Sequence, residues 1–316
     1  MAEGHLSGVF PRSAELVETT RAAERGRATL ADVDRAFYSD VQSLIALQSQ
    51  CSLEYRVDGQ LNWQDLFRPF SELFTGIRLG SLTRWFDNNT FYRKPIIVEK
   101  VGFRGTSLEQ YFRYDLLPRG AARKAILPGP FTFAYMSQNN TYSTRAELVD
   151  DIAHGLKDLV AALRKAGYSY FQFNEPALCF NKTTKEELET ARKAFEICAR
   201  GIGAKSDIQT YFGDAGSIIP DILDFSVDCI GLDFYSTSIE QLKEYDFDKE
   251  LGCGCIDGRN SLLESPDELV KFIAGVRQVL EPKRLFVSPN CDLEFLPYPV
   301  AAKKVALLSK VKKMLE

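Results

Sequence analysis

The sequence predicts an α/β fold, a (β/α)₈ barrel of the TIM type with a short hairpin excursion, spanning residues 1–316 as one domain. Three observations predict it. Short apolar runs alternate with amphipathic stretches nearly throughout, the pattern of a parallel sheet with helices outside it. Several apolar runs stop at a polar cluster, as Tyr170-Phe171-Gln172-Phe173 stops at Asn174-Glu175-Pro176, and in a barrel the C-terminal strand ends carry the site. No glycine-rich dinucleotide fingerprint follows the first strand, which weakens the competing doubly wound sheet.

Ser7 to Arg12 reads as a short strand with a proline-ended turn. Thr29 to Gln50 reads as a long helix, because Leu30, Val33, Phe37, Val41, Leu44 and Leu47 share one stripe at helical spacing. Leu53 to Val57 is a strand ending at Asp58-Gly59-Gln60, and Trp63 to Phe74 reads as helix. Leu82 to Lys94 has no clean period and reads as a hairpin or an excursion. Pro95 to Val101 is a strand whose end carries Glu99 and Lys100. Lys124 to Leu127 runs into Pro128-Gly129-Pro130.

The helix 144–166 opens on the capping box Thr144/Glu147 and closes before Gly167. The central strand 170–173 follows. The next helix opens on Thr183 and Glu186 as a second box and runs to about Arg200. Ile208–Phe212, Asp228–Leu232, Leu251–Ile256 and Leu285–Val287 are strands with polar stops. Ser265 caps a helix with Pro266 at its first position. A basic helix, Ala301 to Glu316, closes the chain. That gives nine strand candidates for eight places, so one is surplus or belongs to the 82–101 excursion.

Composition narrows the function. The chain has 316 residues, 45% hydrophobic and 26% charged, enough for a large core. A net charge of −4 argues against a nucleic-acid partner. No apolar run reaches membrane-spanning length, and Met1 to Pro11 lacks the apolar stretch of a signal peptide. Seven cysteines, an odd number, read as reduced cytoplasmic thiols. Only two histidines restrict His-based catalysis and His-rich metal sites. His154 reads as a surface residue and His5 as part of a frayed terminus. Lys303, Lys304, Lys310, Lys312 and Lys313 read as the wet face of the last helix.

The strand-end residues that could carry chemistry are Arg12, Asp58, Gln60, Glu99, Lys100, Asn174, Glu175, Tyr211, Asp214, Asp233, Tyr235, Asp257, Arg259, Asn290 and Cys291. Singly, each has a capping or turn role as its plain explanation. Together, so many carboxylates and amides favour a small-molecule pocket. Cys253 and Cys255 share one strand face, but zinc cysteines are usually spaced by two to four residues and need two further ligands.

Seven blocks in one order carry a resemblance. They are Gly8-Val9-Phe10-Pro11-Arg12, Thr83-Arg84-Trp85-Phe86-Asp87-Asn88-Asn89, Leu127-Pro128-Gly129-Pro130-Phe131-Thr132, Gln172-Phe173-Asn174-Glu175-Pro176-Ala177-Leu178, Gln209-Thr210-Tyr211-Phe212-Gly213, Asp257-Gly258-Arg259-Asn260 and Ser288-Pro289-Asn290-Cys291. With these, the sequence resembles the cobalamin-independent methionine synthase family. The resemblance implies a (β/α)₈ barrel associated with methyl transfer to homocysteine from a methylated folate or another donor. It also implies two kinds of barrel: a C-terminal one holding zinc and homocysteine, and an N-terminal one that has lost the zinc and contributes to folate binding.

By that resemblance, the zinc ligands fall at Tyr211, Gly213, Asp233 and Cys291, so two are missing and a glutamate is shortened to aspartate. The homocysteine-binding carboxylates fall at Gln60 and Asn174, both amides. The Thr-Tyr-Phe-Gly, Asp-Gly-Arg-Asn and Trp-Phe-Asp blocks look like the N-terminal half, whose folate-tail lysine falls at Arg84; that half's basic run after the first strand is replaced by Ser13-Ala14-Glu15-Leu16-Val17.

The resemblance therefore implies a ligand-binding barrel without the usual zinc, working with a separate zinc-bearing barrel. Arg12, Arg84 and Arg259 would hold anionic groups of a homocysteine- or methylfolate-like ligand. Gln60, Asn174, Tyr211 and Asn290 would contact it, with Glu175 and Asp233 as the reactive carboxylates. Two alternatives stand beside it. One is an autonomous zinc-dependent thiol methyltransferase using Asp233 and Cys291 with help from Cys253 or Cys255. The other is a metal-free barrel enzyme using Asp233 and Glu175 as acid and base.

Overall fold

The computed structural model describes residues 3–315. The strands in chain order are β1 (Glu3–Gly4), β2 (Tyr55–Arg56), β3 (Phe74–Arg84), β4 (Phe91–Phe103), β5 (Ala122–Pro128), β6 (Gln138–Asn139), β7 (Tyr168–Asn174), β8 (Lys205–Gln209), β9 (Cys229–Asp233), β10 (Glu250–Ile256) and β11 (Leu285–Pro289). The helices are α1 (Ala14–Glu24), α2 (Leu30–Gln50), α3 (Phe70–Leu73), α4 (Leu108–Tyr111), α5 (Pro130–Met136), α6 (Arg145–Lys165), α7 (Ala177–Phe180), α8 (Lys185–Cys198), α9 (Ile219–Leu223), α10 (Pro266–Leu280) and α11 (Tyr298–Met314).

Eight strands form one all-parallel sheet in the order β1-β11-β10-β9-β8-β7-β5-β2. Between β2 and β1 no ladder forms, but Glu54 N donates to Gly4 O (3.2 Å) and Phe10 N to Gly59 O (3.0 Å), which carries the ring across the gap. The result is a (β/α)₈ TIM barrel. Alternation puts Phe171 and Phe173 under the helices, where Phe173 meets Phe195 of α8 edge-on at 5.6 Å. The same alternation turns Tyr170, Gln172 and Asn174 towards the axis.

Most expected elements form, and the departures have local causes. Ser7 to Arg12 is irregular chain, and the pairing residues are Glu3 and Gly4. The segment is held by a side chain instead of a ladder, because Val9 N donates to Asp292 Oδ1 at 2.8 Å. The strand at Leu53–Val57 shrinks to Tyr55–Arg56 because Gln48 of α2 takes both backbone groups of Val57, at 2.9 and 3.0 Å. Trp63 to Phe74 is helical only over Phe70–Leu73. Asp65 accepts from Phe67 N and Arg68 N, a local alternative to helical pairing.

The excursion is larger than expected. β3 and β4 form one long antiparallel hairpin, so Pro95–Val101 belongs to it and only eight strands remain for the barrel. The second capping box sits one residue later than expected, on Thr184 and Glu187. Thr183 is spent elsewhere, its hydroxyl donating to Leu178 O at 2.8 Å.

Three side chains expected at the surface or terminus are buried. His5 is fully buried and stacks on Phe286, with ring centroids 4.9 Å apart. Lys304 is fully buried and pairs with Glu264 at 2.7 Å; Lys312 is buried too and pairs with Glu54. Lys303, Lys310 and Lys313 are exposed as expected, and so is His154.

The lower barrel interior is polar. Lys124 Nζ donates to Leu6 O (3.0 Å) and lies 5.0 Å over the Tyr170 ring. Burial pulls Lys124 down to about 8, with the Asp207 charge opposing. Burial pushes Asp207 up to about 6, with Lys124 opposing.

Candidate functional site

The barrel mouth is built from strand-end amides. On β7, Gln172 and Asn174 lie two apart and so face the same way. Gln172 Nε2 donates to Asn174 Oδ1 (2.6 Å) and to Ser7 O. Gln60 follows β2 with φ +54 and donates from Nε2 to Ile126 O at 3.0 Å. Gln209 donates from Nε2 to Asn290 O at 3.2 Å. Backbone carbonyls thus fix three amides with their oxygens unspent. Gln60 Oε1, Gln172 Oε1, Gln209 Oε1 and Asn174 Nδ2 are buried without a hydrogen-bond partner. Buried polar atoms of this kind are usually satisfied by water or ligand.

The carboxylates around this ring are committed. Glu175 is fully buried and accepts from the N–H groups of Phe131 (2.9 Å) and Thr132 (2.7 Å), at the start of α5. A Cβ on Gly129 would land on this carboxyl, so glycine is needed there. Burial pushes Glu175 up to about 7, against the pull of the Thr132 hydroxyl and the N–H bonds. Asp233 Oδ1 accepts from Tyr235 N and Asn290 Nδ2, both at 2.9 Å. Asp233 Oδ2 accepts from Ser236 Oγ (2.9 Å) and Phe212 N (3.4 Å). Asn290 also accepts from Gly258 N at 2.8 Å, so it ties β9, β10 and β11 together. Asp58 accepts from Gln60 N and Arg113 N at 3.0 Å each, which holds its loop.

Two residues absent from the sequence reading complete the mouth. Asp292, one residue past Cys291, accepts from the Tyr211 hydroxyl (3.4 Å), and burial pushes it up to about 6. Half-buried Glu294 lines a cleft of about 230 Å³ with Arg12, Gln60 and Tyr298. Gln172 and Gln209 were also missed, although Gln172 could have been found from its spacing to Asn174.

The three arginines do not converge. Arg12 stands between that cleft and one of about 580 Å³ walled by Leu16, Phe37 and Tyr111. Arg12 makes no ion pair among the described residues, and burial pulls its guanidinium below the ordinary value while Glu294 opposes. Arg84 is exposed near the tip of the hairpin. Arg259 reaches Asp87 at the hairpin tip (3.3 Å) and lies 5.2 Å over the Phe212 ring. Beside it, Phe86 packs edge-on against Phe180 (4.7 Å) and Phe212 (5.7 Å). The hairpin tip therefore covers the mouth. Glu99 and Lys100 are exposed on β4, on the excursion and not at a barrel strand end. Asp214, Tyr235 and Asp257 lie towards the rim, where Asp214 accepts from Gln241 Nε2, Tyr235 O–H reaches Glu264, and Asp257 accepts from Arg259 N.

Two of the places implied for zinc carry no usual zinc donor. Gly213 has no donor, and Tyr211 is fully buried with its hydroxyl turned to Asp292. Both oxygens of Asp233 are occupied as above. Burial and the Asp292 charge hold the Cys291 thiol well above its ordinary value. Cys253 and Cys255 alternate away from the axis and are buried in the apolar layer. Among the described residues no group of three or more His, Cys, Asp or Glu side chains could hold a metal.

With this geometry in place, the comparisons decide the family. The family model described as "Cobalamin-independent synthase, Catalytic domain" matches residues 6–314. The chain belongs to the cobalamin-independent methionine synthase family. A methionine synthase of Saccharolobus solfataricus is 28% identical over 303 residues, covering 94% of this chain and 90% of that protein. One from Sulfurisphaera tokodaii is 28% identical over 307 residues, covering 96% and 89%.

Among solved structures, a B12-independent methionine synthase from a Shewanella species, in complex with selenomethionine, has a TM-score of 0.82 at 17% identity, covering 100% of this chain and 98% of that one. A putative B12-independent methionine synthase from Listeria monocytogenes has a TM-score of 0.78 at 15% identity, covering 100% and 99%. At such identities these two share the fold. Membership places this protein among methionine synthase-like barrels of methionine biosynthesis. No described helix is long and apolar enough to cross a membrane.

Proposed function

We propose that this barrel binds a small ligand at its mouth and serves methyl transfer to a thiol without holding zinc itself, alongside a separate zinc-bearing barrel. One observation carries the reading: of the four places implied for zinc, Gly213 has no donor and the Tyr211 and Asp233 oxygens are engaged, while the amide ring keeps unspent hydrogen-bonding atoms. Gln60, Asn174 and Asn290 then orient the ligand. Tyr211 and Asp233 fix the loops around it, and Glu175 holds the α5 terminus that forms one wall. Arg12 lines the cleft beside Gln60 and suits an anionic end of a homocysteine- or methylfolate-like ligand. Arg84 and Arg259 serve at the covering hairpin. The reading places the protein in the cytoplasm.

A second reading is favoured by the match to the family's catalytic-domain model and by methionine synthases of similar length. In it, this chain is an autonomous methyltransferase whose site is rebuilt when metal and substrate bind. Elemental analysis of the purified, reduced chain separates the two. The first reading expects no stoichiometric zinc, and methionine formation only when a zinc-bearing barrel is added. Stoichiometric zinc that is lost in Cys291→Ser would overturn it and establish the second.

A further inference from the structure

The β3–β4 hairpin is charged against the rest of the molecule. Its cations are Arg78, Arg84, Arg93, Lys94 and Lys100, and its acids are Asp87 and Glu99, a net charge of +3 on a chain of net −4. Asp87 is engaged by Arg259, and none of the five cations makes an ion pair among the described residues. The hairpin is also open. In the small sheet β3-β4-β6, β3 is the edge, and no described strand pairs with its outer side. Arg78, Ser81 and Arg84 are exposed there. Leu79 is 40% exposed and Leu82 55%, and on the neighbouring strand β4 Phe91, opposite Arg84, is 50% exposed. Large apolar side chains between unpaired cations, along an unpaired strand edge, are the features of a peptide-docking edge.

The plain alternative is protection. Edge strands commonly carry charges and bulges that stop one sheet adding to another. The ladder here does shift between Leu79 and Leu82. That explanation accounts for Arg78 and Arg84 as barriers to a second copy, since two such edges would repel. It does not account for three large apolar side chains left bare beside them. A basic edge that repels itself still accepts an acidic strand.

We propose that the outer edge of β3 docks an extended, acidic segment of a partner protein, by strand addition, with apolar side chains of that segment meeting Leu79, Leu82 and Phe91. The backbone groups of 77–84 would supply the pairing. Arg78, Arg84 and Lys94 would supply charge complementarity, so that binding weakens as salt rises. The surface is separate from the amide ring, and the inference does not rest on the reading of the mouth.

The test uses the full chain and a fluorescent peptide of alternating Glu and Val. Controls are the matching Lys/Val peptide, poly-aspartate, and vesicles containing anionic phospholipid. Anisotropy should show the acidic peptide binding at least about tenfold more tightly than the basic one, and more weakly at high salt. Backbone hydrogen exchange should slow at 77–84 on binding. Arg78→Glu with Arg84→Glu, both at exposed positions, should weaken binding about tenfold or more. Poly-aspartate should bind without that protection. Equal binding of the two peptides, no slowing at 77–84, or an unchanged affinity in the double variant would each overturn the proposal. So would tighter binding to the vesicles than to the peptide, which would make the edge a membrane surface. Concentration-dependent dimerisation through 77–84 would overturn it in favour of a second copy.

Discussion

Glu175 Oε2 accepts the backbone N–H of Thr132 at 2.7 Å, while Oε1 accepts that of Phe131 at 2.9 Å. The carboxylate that ends the central strand is therefore the N-terminal anchor of α5. Removing it leaves two buried backbone donors unsatisfied. Glu175→Ala should cost about 3 kcal/mol or more in denaturant unfolding. Glu175→Gln, which can accept only one of the two bonds, should cost about 1–3 kcal/mol. A loss well under 1 kcal/mol in both variants would mean that another group holds α5.

The hairpin tip is held by packing more than by charge. Arg259 and Asp87 form a half-exposed pair at 3.3 Å, and such pairs are worth under about 1 kcal/mol. Phe86 touches Trp85, Phe180 and Phe212 at centroid distances of 4.7, 4.7 and 5.7 Å. Phe86→Ala should cost about 1–3 kcal/mol and speed hydrogen exchange over 85–91. Asp87→Ala should leave that exchange nearly unchanged. The opposite ranking would make the ion pair the latch.

What the sequence could reveal depended on where polarity lay. Helices with one wet face were plain: the long helices over 30–50 and 145–165 form, the second with its Thr144 cap as read. Strands with an apolar outer face and a stop were also plain, as at β7 and β9. β8 was misplaced because its inward residues are polar, Asp207 and Gln209, so the apolar run began too late. β2 was overextended because nothing local says that Gln48 will take the backbone of Val57. The mouth was legible where a residue ends a strand, as at Asn174 and Asn290. Gln172 sits inside a strand, where only its two-residue spacing to Asn174 marks it; Gln209 was hidden with the misplaced β8; Asp292 and Glu294 lie past the next turn. Burial of His5 and Lys304 depends on Phe286 and Glu264, partners distant in the chain.

The Lys124–Asp207 pair tests the polar interior. Both groups are buried, and each opposes the burial shift of the other. Lys124→Met removes one partner and leaves a carboxylate inside the barrel. Because the two make no direct ion pair, the loss should be smaller than for a broken salt bridge, about 1–3 kcal/mol. Adding Asp207→Asn to the same chain should recover most of the loss. If the double variant is no more stable than the single one, the two side chains act independently, and the loss comes from packing.

Glu294 gives the pH dependence its sign. Burial pushes it from an ordinary 4.5 up to about 8, helped by the Asp292 and Asp65 charges and opposed by Arg12. Between about pH 5 and pH 8 the folded chain keeps this proton and the unfolded chain has released it. Unfolding then releases a proton, so this group lowers stability as pH rises across that window. Glu294→Gln keeps a neutral side chain of the same shape at every pH. Its melting temperature should approach or match the wild type near pH 5 and exceed it increasingly towards pH 9. Asp292 shifts in the same direction to about 6, so its contribution is complete before the upper half of the window. A difference that stays flat between pH 7 and pH 9 would mean that Glu294 is ionised throughout, paired with Arg12 across the cleft.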